Sequence, residues 1–472
     1  MRYPTITLGL VLSLALGGCD LAPKYVRPAL PVPATMPISG SGDQGAAADV
    51  AWRTFFVDPG LQQLIAAALA NNRDLRIAVA NVAQSRAQFG ARKADLFPTI
   101  NGSGSATYQK DSESQIAAQT GVPYNGAIPR QNNSYQANIG LSSWEIDLFG
   151  RLRNLSKEAF ETYLASEEAR NAAQVLLISE VATDYLTLAA DKDALAIAQS
   201  TAKSNLATLD LTRKLMQIGT GSEIDVRQAQ SSYDSTTADL ARRTALVAQD
   251  LNALQLVVGA PPPADTLPAG LSAAGATLRQ LPVGLSSQVL LRRPDIAEAE
   301  HKLRAANADI GSARAAFFPQ ISLTATLGTY STALSGLFGG GNGTWNVAPQ
   351  AALPIFDFGK NAANLRYSKA SRDLAVAQYE KAIQTAFKEV ADALAQRATI
   401  DRQLAAQSSL ADDAAVTLRL TELRYRTGVD QFLNVLDAQR TLYSAQQNLV
   451  TTRLTEQSNM VELYRSLGGG LH

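Results

Sequence analysis

Two hydrophobic periods alternate along this chain. Ile100, Gly102, Gly104, Ala106 and Tyr108 interleave with Asn101, Ser103, Ser105, Thr107 and Gln109, a period of two that predicts a strand with one apolar and one polar face. Tyr135, Ala137, Ile139 and Leu141 interleave with Gln136, Asn138 and Ser142 in the same way. Ile321, Leu323, Ala325 and Leu327 do so with Ser322, Thr324 and Thr326, and Trp345, Val347, Ala351, Leu353 and Ile355 with Asn346, Ala348 and Gln350. Elsewhere the spacing becomes three and four. Val376, Tyr379, Ile383, Phe387, Val390 and Leu394 form a one-sided coiled-coil seam, and the remaining positions are mostly small or polar. Neither Pro nor Gly occurs from Arg151 to Ile218 or from Lys360 to Thr427. At about 1.5 Å per residue, each of these runs predicts a helix reaching roughly 100 Å. Shorter helices are predicted over about Leu61 to Leu96, Ser222 to Val258, Ser286 to Phe317 and Gln431 to Leu467. Each long helix thus has a two-piece partner of matching length.

The order of these elements is a duplication. Asn72-Arg73-Asp74-Leu75 through Leu96-Phe97-Pro98 aligns without a gap on Arg293-Pro294-Asp295-Ile296 through Phe317-Phe318-Pro319, at an offset of about 221 positions, and Gly90 falls on Gly311. Further on the offset is about 209. There Gly150-Arg151 matches Gly359-Lys360, Gly219 matches Gly428, Ala229-Gln230 matches Ala438-Gln439, and Val258-Gly259 matches Leu467-Gly468. The difference arises between Pro319 and Gly359, so the first copy carries the longer loop between its strands. Pro98 and Pro319 mark the switch from helix to strand. Gly339-Gly340-Gly341-Asn342-Gly343 reads as a hairpin tip.

Strands with one apolar and one polar face suit a membrane barrel, in which every backbone group must be paired. A half-buried soluble sheet alternates too. Trp144 and Trp345 fit either an interfacial aromatic belt or ordinary packing. Four strands are too few to close a barrel, since about eight is the minimum, so a membrane reading requires several copies of the chain. The sequence leaves two, three or four copies open. After the N-terminal segment no apolar run is long enough for a spanning helix, so any passage through a membrane uses strands.

The N-terminus indicates the compartment. Arg2, an apolar run from Ile6 to Leu16, and then Leu16-Gly17-Gly18-Cys19 follow the order of a secretory signal that ends in a lipoprotein box. Cys19 is the only cysteine, which fits a covalent lipid, diacylglycerol plus an N-acyl chain, and leaves no disulfide. Asp20 after it resembles the signal that keeps some lipoproteins in the inner membrane. A proline-rich stretch to Pro37 and a Gly/Ala-rich stretch from Gly40 to Ala48 read as a tether.

Lys+Arg and Asp+Glu both number 42, so no net field favours nucleic acid. His301 and His472 are the only histidines; with a single cysteine they provide too few His or Cys ligands for a metal site. His301 lies in a charged helical stretch and is expected to be solvated. Phosphate loops, nucleophile elbows and clustered acid/base motifs do not stand out, so the expectation is a protein that is not an enzyme and needs no metal or cofactor beyond the lipid.

The lipobox followed by Pro23-x-Tyr25-x-Arg27-Pro28, the Arg293-Pro294-Asp295-Ile296 run with Phe318-Pro319, Asp147-Leu148-Phe149-Gly150-Arg151 leading into a long helix, and Gly428 with Leu436-Asp437-Ala438-Gln439-Arg440 together resemble the outer membrane factor family. The likeness is to its TolC-like, NodT-type lipoprotein branch, which serves tripartite RND efflux systems. It covers about Cys19 to Gly468. It implies an α+β membrane protein that assembles as a homotrimer, with a twelve-stranded outer-membrane β-barrel continuing into a periplasmic twelve-helix α-barrel, a coiled-coil tunnel. The implied partners are a periplasmic adaptor (membrane fusion protein), an inner-membrane RND pump reached through it, and outer-membrane lipid. The implied role is the exit channel for drugs and toxic compounds. A duct for type I protein secretion is the alternative within transport, and a structural lipoprotein the alternative outside it.

The resemblance divides the chain into a signal peptide at 1–18, a lipidated tether and equatorial segment at 19–58, repeat 1 at 59–259, an equatorial linker at 260–285, repeat 2 at 286–468 and a tail at 469–472. It also implies a periplasmic gate at Leu433, Asp437 and Arg440. Leu433 and Asp437 lie one helical turn apart. Arg440 is expected to pair with Asp437 or a neighbour and latch the closed state. Asn434 stands where TolC has a second gate aspartate, so a ring of three chains carries less charge here. Gly219 and Gly428 are the expected tips that dock to the adaptor.

Overall fold

The structure, a computed structural model, describes residues 20–37, 50–271 and 286–469. Cys19, the signal peptide, the Gly40 to Ala48 tether and His472 lie outside the described residues. In chain order the elements are α1 (Trp52–Phe55), α2 (Pro59–Asn71), α3 (Arg73–Ala94), β1 (Ile100–Lys110), α4 (Glu113–Thr120), β2 (Gln131–Ile146), α5 (Arg151–Gln217), α6 (Glu223–Val258), α7 (Pro294–Ala315), β3 (Gln320–Ser331), β4 (Gly343–Ala352), α8 (Lys360–Arg426) and α9 (Phe432–Ser466). The two proline-free runs are helices of 67 residues each. Among the described residues no helix is long and apolar enough to cross a membrane. Two compact units result. One draws on Ala83–Leu164, His301–Ala377 and the N-terminal residues to Arg27, the other on Pro28–Val82, Ala165–Glu300 and the chain from Gln378 onward.

The first unit holds a four-stranded antiparallel sheet in the order β1-β2-β3-β4. Its register converts the alternating sequence into two chemically distinct faces. Gly102, Ile139, Leu327 and Trp345 lie in one row, and Ile100, Leu141, Ala325 and Val347 in a second row on the same face. The opposite face carries Asn101, Gly140, Thr326 and Asn346 in one row and Ser103, Asn138, Gly328 and Thr344 in another. Between Leu141 and Trp144 the register shifts by one residue, and Ser143 takes φ 52°. A bulge of this kind absorbs one residue and reverses the facing of everything beyond it. It keeps Trp144 in the apolar row with Leu323 and turns Glu145 toward the polar face beside Ser322. The Trp144 indole donates to the carbonyl of Leu96 at 3.3 Å, while Trp345 remains 77% exposed. The last strand ends at Ala352, before Leu353 and Ile355, where Pro354 removes a backbone donor. The β1–β2 connection is the longer one and contains α4. The glycine run at 339–343 leads into β4, as its composition predicts.

In the same unit the segment after Cys19 lies against helices. Asn154 donates to the Asp20 carboxylate at 3.0 Å, Asn307 to the Pro23 carbonyl at 2.7 Å, and Arg314 to that of Leu21 at 2.9 Å. Gly311 makes room for this strap, since a Cβ there would lie 2.9 Å from the Ala22 Cα and 2.6 Å from the Asn154 amide nitrogen. His301 is not the solvated residue its charged neighbourhood suggests. Its Nδ1 lies 2.7 Å from a Glu161 oxygen on α5, and the imidazole is one-fifth exposed. Charged positions on a helix face read as solvated only until another helix covers them.

In the second unit the seam on α8 is buried at Tyr379, Ile383, Val390 and Leu394, with Ala386 and Ala393 completing the stripe and Phe387 half-buried. Phe55 stacks on Tyr464 at 4.4 Å, with Phe56 edge-on at 5.6 Å. The helix expected over Leu61 to Leu96 is broken at Asn72, which has extended ψ of 136°. Its buried side chain caps α3 by accepting from the Leu75 amide and donates to the Val257 carbonyl, both at 2.8 Å. At the matching point of the second copy, Arg293 donates to the Ser466 carbonyl at 2.8 Å and pairs with Asp295 at 2.7 Å and Glu389 at 2.8 Å. There the expected helix begins instead as a short 3₁₀ stretch, Ser287–Arg292.

Candidate functional site

The sequence-predicted tips are the two turns α5–α6 and α8–α9, both in the second unit. Each is closed by a glycine in the left-handed region, φ 82° at Gly219 and φ 75° at Gly428. The amide of Thr220 reaches back to the Leu215 carbonyl at 3.0 Å, and that of Val429 to the Arg424 carbonyl at 2.9 Å. Gly219 and Gly428 donate to Met216 and Tyr425, both at 3.0 Å. These paired bonds satisfy carbonyls left open at a helix end, and they need a residue that accepts positive φ. A Cβ at either glycine would meet nothing within 4 Å, so both tips present bare backbone.

Beyond the turns the tips diverge. Ser222 caps α6 by accepting from the Ile224 amide, whereas Gln431 makes no side-chain cap to α9. The second tip instead has a bidentate brace from Arg424 to Asp430 at 2.7 and 3.1 Å. The guanidinium holds the Asp430 carboxyl below the usual carboxylate range.

The three predicted gate residues lie in the first three turns of α9. Phe432, Val435 and Leu436 are buried against Leu209 of α5 and Ala229 of α6, with Tyr425 packed alongside. That contact fixes the rotation of the helix. Leu433, Asn434, Asp437, Arg440, Thr441 and Ser444 are left on the exposed side, and Leu433 is 56% exposed. Leu433, Asp437 and Arg440 therefore share a face, as their spacing requires. Within the chain the expected latch is not formed. Asp437 and Arg440 have no ion pair among the described residues, because they flank different grooves. Asp437 opens onto one with Asp413, Asp430 and Asn434, and Arg440 onto one with Asp239, Arg242 and Tyr443.

Polar contacts that hold α9 from behind were not recognised in the sequence. Gln439 donates to Thr208 at 3.0 Å, Tyr443 donates to Asp239, and Gln447 donates to the Ala194 carbonyl at 3.3 Å. Their four-residue spacing was the available signal. Burial and the Asp239 carboxylate push the Tyr443 phenol up to about 12. Partial burial opposes ionisation of Asp239, but the Tyr443 hydroxyl, Arg242 and Arg243 together hold it below the usual carboxylate range. On its other side α9 meets α8 through Ala411, Ala414 and Ala445, an apolar contact.

Comparison with known proteins agrees with this architecture. A family model described as outer membrane efflux protein matches residues 64–260 and 285–469. A probable efflux pump outer membrane protein, TtgC of Pseudomonas putida, is 46% identical over 465 residues, covering 98% of this chain and 94% of its own. The cation efflux system protein CusC of Escherichia coli is 40% identical over 473 residues, covering 99% and 100%. A crystal structure of CusC superposes with a TM-score of 0.85 at 39% identity, covering 96% of this chain and all of the other. The open state of the MtrE outer membrane channel of Neisseria gonorrhoeae does so with a TM-score of 0.85 at 38% identity, covering 96% and 99%.

Proposed function

Because the chain belongs to the outer membrane efflux protein family, a family of channels and not of enzymes, we propose that it works as a homotrimeric exit duct docked to a periplasmic adaptor and, through it, to an inner-membrane pump. The observation that carries this reading is the sheet. It has one apolar face, one polar face and two strands, β1 and β4, with an unpaired edge, and a bilayer tolerates such edges only if further copies of the chain close them. Three copies supply twelve strands, enough for a closed barrel. Cys19 carries the lipid that anchors the strap beginning at Asp20. Asn154 and the Ala22 amide already engage the Asp20 carboxylate.

Leu433 and Asp437 line the closing end of the duct, where three leucines narrow and dewet the passage and three aspartates draw cations. Arg440 pairs across chains. The Gly219 and Gly428 tips meet the adaptor. Relatives are named for efflux of toluene, antibiotics and cations, and small toxic solutes are the cargo class proposed here.

Single-channel conductance of the purified protein in a planar bilayer tests the gate. Small or rare openings in the parent that become large in the Asp437→Ala, Arg440→Ala double variant are expected. A large pore indifferent to both substitutions would remove the gate from these residues. A properly assembled oligomer with no conductance would remove the channel.

A further inference from the structure

The polar face of the sheet carries carboxamides, hydroxyls and glycine, row after row. Ser105 lies beside Gln136 and Tyr330, Thr107 beside Ser134, and Gln109 beside Asn132, in addition to the Asn101 and Ser103 rows. Across β1 to β4 the single ionisable carboxylate or cation on this face is Glu145, in the row with Ser322 and Gln350. Glu145 is also the residue that the Ser142–Ser143 bulge turns onto it. Arg151, in the first turn of α5, meets it in a two-point contact, Nε at 2.8 Å and a terminal nitrogen at 2.5 Å. Both side chains are largely covered, at 20% and 29% exposure.

Beyond the strands, at the outer end, Arg130 is balanced by Glu113, and the buried Asp111 carboxylate keeps its charge, held by neutral donors alone. Gln109 and Asn132 donate to the Asp111 carboxylate at 2.6 and 2.8 Å, and Arg130 pairs with Glu113 at 3.0 Å. Lys110 lies on the other face, in register with Gln131.

A ring of unbalanced charge selects ions by sign, and a low-dielectric wall amplifies that selection. From the register and the Glu145–Arg151 pair we infer that the barrel wall is built to be electrically silent, with Glu145 and Arg151 forming a compensated collar at its inner end. The barrel then passes neutral, cationic and anionic amphiphiles alike, and any discrimination by charge is made by the helical part of the duct. This inference rests on the channel reading above, because it takes the polar face to line the conducting path. The bulge acquires a purpose in this view: it places one carboxylate where the first turn of α5 can neutralise it.

The test is the reversal potential of the purified full-length protein in a planar bilayer under a potassium chloride gradient. Arg151→Gln leaves three uncompensated carboxylates per trimer and is expected to shift the permeability ratio toward potassium by several-fold. Glu145→Gln leaves three guanidinium groups and is expected to shift it toward chloride. The double variant is expected to return to the parent value, a reversal that simple loss of packing does not produce. If either single variant fails to assemble, Gln136→Glu, which breaks no ion pair, decides in its place and should move the ratio toward potassium. Assembled, conducting variants with unchanged ratios would overturn the silent wall. A parent that forms no conducting pore would overturn the channel reading itself.

Discussion

At the start of α3 the side chain of Asn72 donates to the carbonyl of Val257. At the equivalent place in the second copy, Arg293 donates to that of Ser466. The backbone problem is the same in both, a helix beginning against the end of another, but the second solution brings a charge. That charge recruits Asp295, Glu389 and, through Glu389, Arg465 at 3.2 Å. Farther along, the roles reverse. Asp250 of the first copy sits near Asp191 and Asp184, while its counterpart Asn459 donates to the Ala393 carbonyl and Gln396, both at 2.9 Å. The duplicated backbone devices have been kept, and ionisable groups have been placed at different levels in each copy.

The largest break in this comparison is Arg293→Ala. Its side chain is 5% exposed; removal leaves the buried Ser466 carbonyl without a donor and takes a partner from Asp295, which is 43% exposed, and from Glu389, which keeps Arg465, at a cost of about 3 kcal/mol. Asn72→Ala removes a cap and a neutral buried donor, and about 1–2 kcal/mol is expected. Thermal denaturation of the purified protein followed by circular dichroism ranks the two. Equal losses would mean that the charge in the second copy adds nothing to the neutral solution in the first.

The tips are expected to respond alike. Gly219→Val and Gly428→Val each force a β-branched residue into the left-handed region, at about 1–2 kcal/mol. Neither site has a steric neighbour within 4 Å to add to that. Export should be lost while the trimer still assembles, read from a drug-susceptibility assay beside an oligomer gel. Normal export in both would remove the tips from docking.

Asp250→Asn sharpens the comparison by giving the first copy the solution of the second. Burial first, and then the Asp191 and Asp184 carboxylates, raise the Asp250 carboxyl to about 6. A carboxyl with a raised folded-state pKa favours the fold when protonated, and that contribution is lost as the pH rises through about 6. The variant should therefore be more thermally stable than the parent above that pH. Its advantage should fade as the pH falls through about 4, where the parent carboxyl is protonated in the fold and becomes protonated in the unfolded chain as well. The Asp184 carboxyl, likewise raised to about 6, titrates in both proteins, and relief of its repulsion with Asp250 is part of what the substitution supplies. An advantage independent of pH would point to packing and not to ionisation.

How much of this was legible beforehand follows from the range of each interaction. The strand faces, the long helices and both tip glycines were readable because their signals lie within a few residues of one another. The Ser142–Ser143 bulge was not, since it becomes visible only when β3 fixes the register of β2. Nor was the break at Asn72, whose partner Val257 lies 185 residues away, or the Glu161 partner of His301, 140 residues away. For the exposed stripe on α9, spacing placed Leu433, Asp437 and Arg440 on one face. It did not reveal that Asp437 and Arg440 open onto different grooves, because the flanking helices decide that.

The smallest effect is expected from exchanging one tip for the other. Leu215 and Gly221 occupy the places of Arg424 and Asp430, so Arg424→Leu with Asp430→Gly recasts the second tip in the chemistry of the first. Arg424 is 58% exposed and Asp430 19%, and a pair with its cation in solvent contributes little to stability, so the melting curve should move little. The backbone turn is set by Gly428, which remains. If docking reads only the bare backbone at the glycines, export is unchanged, and a trimer offers six equivalent contacts. If export falls while assembly and stability hold, the partner reads the Arg424–Asp430 brace. The duplication has then diverged into two kinds of tip, three of each.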